Sequence, residues 1–323
     1  GGGNITRLTA LTAGLSEEIP AVTLDLQCGS SLESIATAAA KIESGLADLV
    51  IAGGFESSST QPFRMWNPNH PDYQEGKCYT VAKFIPDLQG EQVMLEGAEK
   101  TALTENVTKA EIDPWVLLSH KRAAQAAKEG ILSDIQLSIE GSRKDEGIRP
   151  SMSQRLLDRL PYILPGGKVI TAANACLMHD GAAFVVLCSE KYRKAHKLSP
   201  QAAFRFGTSI GSDPFMSPKT AVLAIRKLFK QTGLSIDEID SLEVNEAFAV
   251  IDVLLEREFP GIRDRLNPLG GALAYGHPYG ASGAIILLHL LKNLQVNKGR
   301  FGICGVAAAG GIGTSLLVER VKA

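Results

Sequence analysis

The run LQCGSSLES (26–34) puts a cysteine after an apolar stretch and just before a small-residue turn that opens a helical pattern. A thiol at that place lies near the positive end of a helix dipole and its unpaired N–H groups. Both favour the thiolate, which is the nucleophilic form. A buried strand-end cysteine is the plainer alternative, and position alone does not separate the two. Farther on, GGALAYGHPYGASG (270–283) fixes His277 inside a glycine-rich turn. Glycines there let backbone or ligand come close. A capped histidine, or a phosphate loop over Gly280 to Gly283, fits the same letters. EVNEAFA (243–249) places Asn245 and Glu246 at a strand-to-helix junction, where capping also recruits polar side chains. Taken together, Cys28, His277 and Asn245 come from three separate turns, which is how a nucleophile, its base and an oxyanion donor are assembled.

Elements must carry these turns to one place. AVTLDL (21–26) reads as a strand, 32–47 as an alanine-rich helix and DLVIAGG (48–54) as a buried strand. KVITAAN (168–174), 182–190 and 203–211 have strand character, and 220–233 is helical. IDSLEVNEAF (239–248) runs from strand to turn, with a helix over 249–259 and another over 281–294. Two last strands, RFGICGV and TSLLVER, close the chain. Such alternation predicts an α/β fold with helices packed on a sheet. Residues 57–165 are polar and loop-rich, an insertion of the sort that shapes a binding site. A unit from Cys28 to the AGG at 52–54 is echoed from His277 to the AGG at 309–311, so two similar halves are expected, 1–190 and 191–323.

The 323 residues, 45% of them hydrophobic, suffice for two domains or one large α/β unit. A net charge of −2 gives no general attraction to nucleic acid or to an anionic membrane. The longest apolar stretch, GAIILLHLLKNL (283–294), falls short of the roughly 18–20 residues of a membrane span. No nucleic-acid or membrane partner is therefore expected. The five cysteines, Cys28, Cys78, Cys176, Cys188 and Cys304, are scattered without a CxxC pair, which argues against a disulfide framework or a zinc site. GGGNITRL lacks the pattern of a leader and VKA is no sorting signal, so a cytoplasmic location is expected.

The same motifs, in this order, resemble the thiolase family over nearly the whole chain. They are CGSS with AGGFES (52–57), TAANACLMHDGAA (171–183), VNEAFA (244–249), GGALAYGHPYGASGA (270–284), and Arg300, Phe301 and Gly302 with GGIG (310–313). The resemblance implies two βαβαβαββ halves, each with a mixed five-stranded sheet, in an α/β/α/β/α layering with an inserted loop domain. It also implies that the N-terminal half lacks its first strands. The implied activity is acyl transfer: thiolytic cleavage of a 3-ketoacyl-CoA, or Claisen condensation of acyl-CoA units. Cys28 takes the acyl group, His277 receives its proton, and Asn245 positions a water. The backbone N–H groups of Cys28 and Ala309 form a second oxyanion hole. Cys176, Met94 and Phe248 line the coenzyme A path. No permanent cofactor or metal is implied, coenzyme A or acyl-CoA enters as substrate, and a homodimer or homotetramer is expected in lipid metabolism.

GICGVAAAGGIG (302–313) departs from the pattern. Aligned on its glycines, Ala307 occupies the place of the family's second catalytic cysteine. Alanine cannot move a proton, and a positioned acid/base contributes roughly 10²–10⁴-fold. Cys304 lies three residues earlier, an odd offset that turns it to the opposite face of a strand and about 10 Å away. Cys176 stands for a serine, Leu269 for an asparagine, and DPFMSP (213–218) lacks the family's glycines. Ala309 replaces a glycine, which raises the question of positive φ there. The alternative to full turnover is thus a thiolase-like protein with impaired condensation, one that binds acyl-CoA or a partner or hydrolyses thioesters.

Overall fold

The computed structural model describes residues 3–86, 90 and 92–321. The chain opens with α1 (Ile5–Thr12), α2 (Ser30–Glu43) and β1 (Leu49–Glu56). A long excursion follows with α3 (Val93–Thr104), α4 (Lys109–Glu129) and α5 (Gln154–Leu157), before β2 (Gly181–Cys188) and α6 (Glu190–Ala195). Then come β3 (Ala202–Gly211), α7 (Thr220–Thr232), β4 (Ser241–Val244), α8 (Val250–Glu258) and α9 (Ala272–Tyr275). The last elements are α10 (Ser282–Val296), β5 (Phe301–Ala308) and β6 (Ile312–Arg320).

Two sheets result. β1 pairs antiparallel with β2, Ala52 opposite Val185. The second sheet has the order β3-β6-β5-β4, with β4 parallel to β5 and the other pairs antiparallel. A further parallel contact joins Leu242 to Leu266, where the Leu242 N–H donates to the Arg265 carbonyl and the Asn267 N–H to the Leu242 carbonyl, both at 2.8 Å. This is a fifth strand cut to a single bridge. The N-terminal half has two strands among the described residues. On the outer face of those strands Leu49, Ile51, Phe184 and Val186 are exposed.

α2 and α10 lie between the sheets. Their apolar faces join Ala52 and Ala183 on one side with Cys304, Val306, Ala308 and Leu316 on the other in a single core. Contact is close because Gly283 has no side chain: a Cβ there would stand 2.6 Å from the Leu32 nitrogen. The Ala284 N–H donates to Ser31 Oγ across the same contact. The opposite face of the larger sheet packs on α7 and α8, with Ile225, Val244, Ile251, Ile303 and Leu317 in a second core that also takes in α3 and α4.

Two expected strands are absent. Residues 21–25 have no regular structure and are mostly exposed, because no neighbouring strand offers them a ladder. Residues 168–174 are irregular for a different reason. The N–H groups of Lys168, Val169 and Ile170 all donate to the Glu99 carboxylate on α3, so they are turned away from any strand partner. Asn174 closes the segment by accepting from the Thr171 N–H and donating to the Val169 carbonyl.

Candidate active site

Cys28 stands in a tight turn one residue before Gly29, the N-cap of α2. Gln27 takes a φ of +53°, a left-handed conformation that a side chain pays for. Ser30 holds the turn, accepting from the Leu26 N–H and donating to the Gln27 carbonyl. The N–H groups of Ala309 and of Cys28 itself lie near enough to the sulfur to pull its thiol down. One of these two donors comes from each end of the chain. The thiol is only 8% exposed, and burial pushes it up to about 12 against the pull of these N–H groups, with the Glu56 and Asp25 carboxylates adding to the rise. Of the two readings that position leaves open, burial favours the neutral thiol, because desolvation outweighs the dipole of α2.

His277 is 1% exposed and follows Gly276, whose φ of +88° and missing Cβ make room for the ring of His179. Its ring hydrogen bonds define its tautomer. Ser282 Oγ donates to the Pro278 carbonyl at 2.9 Å, so at 2.6 Å it accepts the proton of His277 Nδ1. Nε2 is left with its lone pair, and Asn245 Nδ2 donates to it at 3.2 Å. Burial lowers the imidazole to about 3, so it is neutral and can receive a proton. Asn245 is fully buried at the end of β4. Its Oδ1 has no hydrogen-bond partner among the described residues.

Glu246 does not cap a helix. Its carboxylate accepts from Ser119 on α4, from Asn267 Nδ2 and from the Leu273 N–H, and a Cβ on Gly271 would stand 2.5 Å from it. It locks the glycine turn that leads to His277 onto the end of β4. Glu243 and Asp252 are buried with no hydrogen-bond partner among the described residues, and burial raises both carboxyls well above their usual range.

The other expected residues fall as follows. Ala309 keeps a negative φ; Gly310 and Gly311 take the positive values instead, at +80° and +75°. The conformation that alanine resists is thus not asked of it. Ala307 is 4% exposed and shares an apolar cluster with Phe248, against which Met94 and Cys176 pack. Cys304 is fully buried in the other core, on the α2 and α10 side of the sheet. Alternation along β5 separates the two. Cys176 borders the site, within electrostatic range of Cys28.

Ser282, Tyr279 and Glu56 were not singled out from the sequence. The Tyr279 ring stands edge-on to His277 at 4.8 Å, and its phenol feels both Cys28 and Cys176. The one available signal was a serine five residues after the histidine, at a helix start. A cleft of about 1080 Å³ lies elsewhere, between α4 and residues 130–153, and none of the expected site residues lines it. Among the described residues no helix is long and apolar enough to cross a membrane.

The thiolase N-terminal domain matches residues 1–191 and the thiolase C-terminal domain residues 198–320. The chain is 34% identical to the steroid 3-ketoacyl-CoA thiolase FadA6 of Mycobacterium tuberculosis, covering 99% of this chain and 79% of that protein. It is 33% identical to a beta-ketoadipyl-CoA thiolase of Escherichia coli, covering 98% and 84%. Among solved structures, human mitochondrial 3-ketoacyl-CoA thiolase in complex with CoA superposes with a TM-score of 0.90 at 30% identity, over 98% of this chain and 82% of that one. The Bacillus anthracis acetyl-CoA acetyltransferase superposes with a TM-score of 0.89 at 29% identity, over 99% and 84%. The chain belongs to the thiolase family and is an acyltransferase that takes coenzyme A thioesters as substrates.

Proposed function

We propose that Cys28 is the residue that becomes acylated, with His277 as its base. The observation that carries this is the place of Cys28 at the head of α2, with the Ala309 and Cys28 N–H groups close enough to act on its sulfur. A carbonyl oxygen on carbon bonded to that sulfur lies beside both donors and gains their charge stabilisation as it becomes an oxyanion. The neutral imidazole, held by Ser282 with Nε2 unprotonated, takes the thiol proton as the sulfur attacks. Protonated Nε2 becomes a donor, which requires the Asn245 amide that donates to it at rest to release it. Asn245 Oδ1, buried and unpartnered, is the acceptor that orders a water beside it.

Met94 and Phe248, packed in and against the cluster that holds Ala307, are assigned to the coenzyme A arm. The two halves divide near residue 190, each supplying one of the two N–H groups. The reaction is thiolytic cleavage of a 3-ketoacyl-CoA or its reverse, in lipid metabolism, by a cytoplasmic homodimer or homotetramer. Acetoacetyl-CoA with free coenzyme A tests it. Two acetyl-CoA are expected per substrate consumed, with His277→Ala slower by about 10²–10⁴-fold. Undiminished cleavage by a Cys28→Ala variant would contradict the assignment.

A further inference from the structure

Thiolysis needs two proton carriers, and Ala307 cannot be one of them. We infer that Cys176 carries the second proton, replacing from a different segment the group that β5 does not supply. This rests on Cys28 being the acylated residue. Cys176 lies within electrostatic range of Cys28 and packs against the cluster on the side of β5 that Ala307 faces. Cys304 is sealed on the far side of β5, and Cys78 and Cys188 lie on the excursion and at the outer end of β2.

The backbone around Cys176 is clamped on both sides by the segments that carry the other site residues. Its N–H donates to the Ala247 carbonyl at 3.0 Å, and the Ala249 N–H donates to the Asn174 carbonyl at 2.9 Å. On the other side the His277 N–H donates to the Leu177 carbonyl at 2.8 Å. Ala175 bridges to Phe248 and Met178 to His277. Cys176 therefore stands between Asn245 and His277, and it packs against the cluster that contains Ala307. Its thiol is half-buried and free. Burial, and then the neighbouring Cys28, keep that thiol protonated at rest, as an acid must be.

The steps balance. The Cys28 thiol gives its proton to His277, and the sulfur bonds to C3 of the 3-ketoacyl-CoA. The C2–C3 bond breaks, its electron pair passes to C2, and the Cys176 S–H protonates C2 to release acetyl-CoA. The Cys176 thiolate then takes the proton of incoming coenzyme A. The coenzyme A thiolate displaces Cys28 from the acyl group, and Cys28 recovers its proton from His277.

Solvent exchange at C2 of acetyl-CoA isolates this step. In D2O, wild-type protein is expected to form an acetyl adduct on Cys28 and to place deuterium in the methyl group of acetyl-CoA. Cys176→Ala and Cys176→Ser are expected to form the adduct yet lose exchange by about 10²-fold or more. Adding Ala307→Cys to Cys176→Ala is expected to restore it. Exchange at the wild-type rate in both Cys176 variants would overturn the assignment. So would loss of exchange in Tyr279→Phe but in neither Cys176 variant, or a wild-type protein that is acetylated without exchange. No adduct in the wild-type protein would overturn the acyl-Cys28 reading itself, and is distinguishable because the adduct is measured separately.

Discussion

At Cys28 a short helix-end turn, two N–H groups and nearly complete burial act on one sulfur, and burial prevails. The consequence is measurable in the free protein. With the thiol pushed up to about 12, the thiolate fraction grows about tenfold per pH unit across the neutral and mildly alkaline range. Alkylation of the Cys28 peptide by iodoacetamide, followed by mass spectrometry, is expected to rise without a plateau from pH 7 to pH 10. A plateau near neutral pH would show a thiolate at rest. Cys28, His277 and Asn245 were legible in the sequence because each sits in a turn whose small or capping residues announce it. The state of the thiol was not, since desolvation depends on what packs over the turn. Ser282 and Tyr279 became visible only when the turn closed around the histidine ring.

The pairing of α2 with α10 is the element that sets this geometry. Cys28 precedes α2, and His277 and Ser282 precede or begin α10, so the helix contact fixes their distance. Gly283 is the point of closest approach, with Leu32 N and Cβ and Ser31 Oγ all within 3.0 Å of where a Cβ would lie. Gly283→Ala must push the helices apart and is expected to cost about 1–3 kcal/mol, read as a lower urea midpoint. An unchanged midpoint would show that the contact has slack. Most elements could be read from apolar period and punctuation, including α7, α10, β5 and β6. The stretches 21–26 and 168–174 have the same letters as strands. What decides them is outside their own sequence: no ladder partner for the first, and the Glu99 carboxylate for the second.

Across the whole molecule, the repeat seen between Cys28–AGG and His277–AGG becomes two facing units around the α2 and α10 layer. Each unit supplies part of the candidate site, Cys28 from one and Asn245 with His277 from the other. Alternation along β5 also explains why the cysteine nearest the missing group, Cys304, is of no use to it, whereas Cys176 arrives from another loop. The order of the motifs carried this much of the fold, but the width of each sheet was not legible. The fifth strand of the C-terminal sheet is a single Leu242–Leu266 bridge, and the N-terminal sheet has two strands among the described residues. Together the two units are proposed to form an acyl-enzyme on Cys28. Incubation with acetyl-CoA, proteolysis and mass spectrometry test it most directly. One acetyl group on the peptide that contains Cys28 is expected; an unmodified Cys28 in folded protein, or acetylation at another residue instead, would rule out an acyl-enzyme there.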